Sequence, residues 1–108
     1  MGVLIFNRQE YDFSDRLLAH LREAITGKLL RRESFSMSWV ANMGFARHLT
    51  TLWVTPNAAM EFYFSHDREE EINPNWVDAL EWSAYRDSGM EIMTEASAAK
   101  FVREHDLE

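Results

Sequence analysis

Ser34-Phe35-Ser36-Met37-Ser38-Trp39-Val40-Ala41 switches between small polar and large apolar side chains at nearly every step. A period of two marks a strand with one wet face, because successive side chains leave the pleat on opposite sides. Phe35, Met37 and Trp39 are expected to face a core, and Ser34, Ser36 and Ser38 to face water. Working outward, Asn42-Met43-Gly44 reads as a turn and residues 47–55 as a second strand rich in β-formers. Pro56-Asn57 turns the chain again. Residues 58–65 give a third strand, with Met60, Phe62 and Phe64 on one face and Glu61 and Tyr63 on the other. Three successive strands with short connections predict a meander.

The flanks supply the other layer. Val3-Leu4-Ile5-Phe6, the polar turn Asn7-Arg8-Gln9-Glu10, and Tyr11-Asp12-Phe13 read as a hairpin. Residues 15–32 read as a helix capped by Ser14 or Asp15, with Leu18, Leu21, Ile25 and Leu29 recurring at helical spacing. Lys28, Arg31 and Arg32 crowd its last turn, where cations complement the helix dipole. Asn73-Pro74 opens a second helix with a cap and a proline at the first helical position. Trp76, Val77, Leu80 and Ala84 line one side of it, and Ser88-Gly89 closes it. A short strand at residues 90–93 and a terminal helix at 97–105, capped by Ser97 and anchored by Phe101 and Val102, complete the chain. The closing Leu107-Glu108 resembles an appended cloning scar. The order β-β-α-β-β-β-α-β predicts an α+β domain over residues 1–95, with a mostly antiparallel sheet, helices on one face, and a helical tail at 96–108.

At 108 residues the chain is expected to form one domain. No apolar run approaches the roughly 18 residues that span a bilayer, and Met1–Phe6 lacks the basic start of a secretion signal. With no cysteine, disulfides are excluded and a soluble cytoplasmic domain without membrane contact is expected. Net charge is −7 and unevenly spread: residues 1–54 hold seven basic and five acidic side chains, residues 55–108 four and thirteen. Such a chain repels nucleic acid overall. Its two poles could steer self-association or a charged protein partner.

The chemistry is sparse. Thiol catalysis and cysteine-based zinc sites are out, and His20, His48, His66 and His105 show no metal-ligand spacing. His66 with Asp67, Glu69, Glu70 and Glu71 reads as a solvated charge run. No nucleophile elbow or phosphate-cradling glycine loop is present. The expectation is no metal, no cofactor and no catalytic residue. Three functional readings follow. Tyr63, Trp82 and Tyr85 fall off the core stripes and suit a protein interface, with a partner or a second copy of the chain in a homo-oligomer. Arg16, Arg22, Lys28, Arg31 and Arg32 give the first helix a basic side for nucleic acid, a reading the net charge disfavours. Asp15, Arg16 and His20, with His20 on the helix flank, would serve a small enzyme only if they converged in a pocket.

Asp15-Arg16-Leu17-Leu18-Ala19-His20-Leu21, Lys28-Leu29, Glu33-Ser34-Phe35 and Ser38-Trp39 resemble segments of a known family. So do Leu52-Trp53-Val54-Thr55-Pro56, Phe62-Tyr63-Phe64, Asn73 and Trp76-Val77-Asp78-Ala79-Leu80. The family is one of short actinobacterial proteins of unknown function, and the resemblance covers about residues 3–93. It implies that Asp15, Arg16, His20 and Trp76 recur in relatives, without a role attached. Members often carry the automatic label ATP-dependent DNA ligase. Such ligases share a Lys-x-Asp-Gly motif, which neither Lys28-Leu29-Leu30-Arg31 nor Lys100-Phe101-Val102-Arg103 matches.

Overall fold

The computed structural model describes residues 1–43 and 46–107. Strands β1 (Gly2–Phe6) and β2 (Gln9–Phe13) form the expected hairpin. Its turn is tighter than expected: only Asn7 and Arg8 lie outside the strands, at φ 49° and 73°. Two left-handed residues in a two-residue loop match the right-handed twist of the flanking strands. Helix α1 (Asp15–Leu30) starts at Ser14, whose side chain accepts the N–H of Leu17. Leu18, Leu21, Ala24 and Ile25 are buried, and filling such positions contributes roughly 1.5–3 kcal/mol per large side chain.

Strand β3 (Phe35–Met43) pairs antiparallel with β4 (Ala46–Val54). Asn42 and Met43, expected in the turn, pair with Arg47 and Ala46 as strand. Gly44, the third residue of that turn, lies outside the described residues. Phe35 and Met37 are buried as the alternation predicts.

The meander is not formed. Strand β5 (Met60–Tyr63) leaves β4 and pairs antiparallel with β1, giving one sheet of order β2-β1-β5. The cause lies in β1: an uninterrupted Val3-Leu4-Ile5-Phe6 run suits a central strand covered on both edges and both faces. Phe62 and Met60 pair with Leu4 and Phe6 on the inner face, and Asn7 N–H donates to the Ala59 carbonyl at 3.0 Å. Beyond α2 (Pro74–Ser83), the two-residue β6 (Met90–Glu91) joins β3 in parallel, so the second sheet runs β4-β3-β6. Gly89, at φ 80°, permits this approach, because a Cβ there would sit 2.7 Å from the Ser36 carbonyl oxygen. The two sheets meet at Trp39, whose ring packs in T-shaped geometry with those of Tyr11 and Phe13, each at 5.3 Å.

The last helix, α3 (Glu95–Glu104), begins two residues before the expected start and is capped by Thr94, which accepts the Ser97 N–H. Ala98, Phe101 and Val102 join the same core, and α3 packs on α2, which packs on α1. Leu107 also packs against that core, while Glu108 lies outside the described residues.

Helix α1 ends at Leu30 instead of residue 32. Glu33 N–H returns to the Lys28 carbonyl and Arg32 N–H to that of Leu29, the paired bonds of a Schellman motif. Its left-handed position, normally glycine, is Arg32 at φ 58°. Since a side chain costs about 1–2 kcal/mol there, part of which glycine loses in the unfolded chain, Arg32→Gly should raise unfolding stability by about 0.5–1 kcal/mol. Chemical denaturation of the two proteins measures this.

Candidate interaction surface

Three of the candidate residues are consumed by the fold. Arg16 Nε and Nη2 grip both oxygens of Glu95, at 3.1 and 2.8 Å, and Nη1 reaches the Glu71 carbonyl at 2.8 Å. Asn73 Nδ2 donates to the same carboxylate at 2.9 Å. The Arg16 guanidinium first, and the Asn73 amide second, hold Glu95 at about 2, and Glu95 in turn raises the Arg16 pKa.

His20 lies beneath this group and is fully buried, not on the helix flank. Its Nε2 accepts the Asn73 backbone N–H at 2.9 Å, and its Nδ1 stands 2.7 Å from the Arg16 carbonyl oxygen. A backbone N–H can only donate and a carbonyl only accept, so the ring is neutral with its proton on Nδ1. It stacks on Trp76 at 4.1 Å, and Trp76 Nε1 donates to the Met93 carbonyl at 3.0 Å. Asp15 turns elsewhere, accepting the Ser65 hydroxyl and then its backbone N–H, which lower its pKa. Asp15, Arg16 and His20 therefore do not converge on a common pocket.

Much of the basic side of α1 is likewise spent. Lys28 is buried, with Nζ 3.0 Å from Glu33 and 3.5 Å above the Tyr85 ring. Arg31 binds Glu81 at 2.7 Å and Glu33 at 2.6 Å, so its own pKa rises, while Arg31, Lys28 and the Tyr85 hydroxyl hold Glu33 at about 2. Gly27 makes room for this knot, since a Cβ there would meet Glu81 Oε1 at 2.9 Å. Arg22 lies over the Phe64 ring at 4.7 Å. Of the five cations, only Arg22 and Arg32 lack a carboxylate partner among the described residues. In the acidic loop, His66 Nδ1 accepts the Arg68 N–H and Nε2 lies 3.4 Å from Glu70. No group of three His, Asp or Glu side chains is placed to hold a metal ion among the described residues.

Of the aromatics, Tyr63, Trp82 and Tyr85 are all exposed. They occupy separate surfaces: Tyr63 on the outer side of β5, and Trp82 with Tyr85, edge to face at 5.9 Å, beside α2. Tyr85 already serves Lys28 and Glu33.

A surface without a sequence signal of its own lies on the β3–β4 hairpin. Its register sets Val40 opposite Leu49, Ser38 opposite Thr51 and Ser36 opposite Trp53, all on the wet face. Leu49 is 71% exposed and Trp53 70% exposed. The Ser38 carbonyl accepts the Ile92 N–H on the β6 side. Backbone groups alternate sides along a strand, so Leu49, Thr51 and Trp53 turn their N–H and C=O groups to the open edge of β4. Residues 46–54 contain no proline, lysine or carboxylate, the usual guards of such an edge.

The chain belongs to the family described as a domain of unknown function (DUF7882), whose model matches residues 1–95. No curated protein and no solved structure matches.

His20→Ala, which removes two buried hydrogen bonds and a stacked ring, should cost about 2–4 kcal/mol in denaturant unfolding. Acid should act through Glu95 and Glu33, each lowered from 4.5 to about 2. Their contribution is complete above pH 4.5 and is lost as pH falls toward 2. Glu95→Gln should therefore be less stable at neutral pH and lose less across that window, measured as denaturant midpoint against pH.

Proposed function

Starting from a family without an assigned function, we propose that this chain is a non-catalytic cytoplasmic module that acts through protein contacts, first with a second copy of itself. The single observation that carries this reading is the unguarded β4 edge, nine residues long, with Leu49 and Trp53 exposed beside it. An isologous pair of β4 strands, antiparallel about Thr51, sets Leu49 opposite Trp53 of the partner subunit. Thr51 then meets its own copy, and the outward backbone groups of all three residues are satisfied. Because Arg47 is the only Arg, Lys, Asp or Glu on β4, and faces Thr55 in that register, no like charges are opposed. The non-catalytic part rests on Asp15, Arg16 and His20 having their polar atoms engaged in holding the fold.

Sedimentation across micromolar concentrations should show a reversible monomer–dimer equilibrium. Trp53→Lys should shift it to monomer with an unchanged circular dichroism spectrum, since Trp53 is exposed. A wild-type chain that stays monomeric throughout would remove the self-association reading.

A further inference from the structure

The opposite edge of the same sheet opens onto a groove of about 750 Å³. Leu17, Trp39 and Ile92 form its apolar wall, and Asp12, Val40 and Thr94 line it as well. It exists because β6 covers β3 only at Met37 and Ser38. After Ile92 the chain turns away, and Thr94 is taken up in capping α3. Two residues beyond Ser38, the N–H and C=O of Val40 point to the same side and find no strand.

We propose that an extended, cationic peptide segment of another protein adds here as a strand, continuing the line of β6 along β3. Its backbone pairs with Val40, and alternate side chains enter the groove over Leu17, Trp39 and Ile92, the mode of β-strand addition. The charge of the peptide follows from the rim. The Asp12 side chain makes no hydrogen bond or ion pair among the described residues, whereas Arg86, the only Arg or Lys among the described residues that line the groove, is bound to Glu91 at 2.8 Å. The chain as a whole carries −7. The backbone that pairs here is the β3 edge and not that of β4, although Leu49 of β4 also lines the groove.

The test uses the full chain and its Trp53→Lys variant, titrated with the probe acetyl-Lys-Val-Lys-Val-Lys-Val-amide. Binding is read by tryptophan fluorescence and by amide NMR shifts. The proposal expects saturable binding with the largest shifts at Val40 and its neighbours, equal in both chains. A probe with glutamate in place of lysine, and one N-methylated at alternate amides, should each bind at least about tenfold more weakly. Val40→Pro should abolish binding while keeping the fold, because that N–H has no partner among the described residues. Asp12→Asn provides a second variant and should weaken the lysine probe about threefold. No saturation, equal binding of the N-methylated or glutamate probe, or shifts confined to β4 would each overturn the proposal. Binding of a small apolar molecule such as indole with no binding of the lysine probe would overturn it in favour of a small-molecule site.

Discussion

The neutral ring of His20 is the contact on which the arrangement of the helices depends. It joins the Arg16 carbonyl in α1 to the Asn73 N–H that opens α2, and it lies flat on Trp76. Directly above, Arg16 and Asn73 share the carboxylate of Glu95, the first residue of α3. Three helix starts are thereby fixed relative to one another. Buried polar groups are costly unless satisfied, and no buried side-chain polar atom is left without a partner among the described residues. The same economy explains the Lys28 knot at the other end of α1. There a buried ammonium is balanced by Glu33 and covered by the Tyr85 ring.

These two clusters decide what the surface can do. Residues that look like chemistry in isolation, an Asp-Arg pair followed by His, or Arg16, Lys28 and Arg31 in the basic run, are spent on internal contacts. Outward beside them, on the second sheet, stand unpaired backbone and apolar side chains. The sheet of order β4-β3-β6 ends in one long edge with Leu49 and Trp53 beside it, and in one short strand that leaves Val40 uncovered. Both features offer hydrogen-bonding strands beside apolar surface, the chemistry of protein association rather than of turnover.

Local chemistry was legible in the sequence and distant pairing was not. Ser14 and Asn73-Pro74 announce their helices because a cap acts within three residues. The alternation of residues 35–39 announces its strand for the same reason. The α1 terminus escaped notice because its left-handed position is Arg32 and not glycine. Nothing local says that β5 returns to β1, or that β6 runs parallel to β3. His20 read as a flank residue because the groups that bury it, Asn73 and Trp76, lie more than 50 residues away. Leu49 and Trp53 are ordinary β-formers singly, and only the register with Val40 and Ser36 places them on one exposed face. Tyr63, Trp82 and Tyr85 are exposed in the structure.

The most direct test of β4 as an association surface is amide hydrogen exchange at Leu49, Thr51 and Trp53 as a function of protein concentration. The account predicts that these three amides, open in the monomer, become protected together as concentration rises, while Thr50 and Leu52, turned toward β3, stay protected throughout. Exchange at Leu49, Thr51 and Trp53 that is fast and independent of concentration would contradict it.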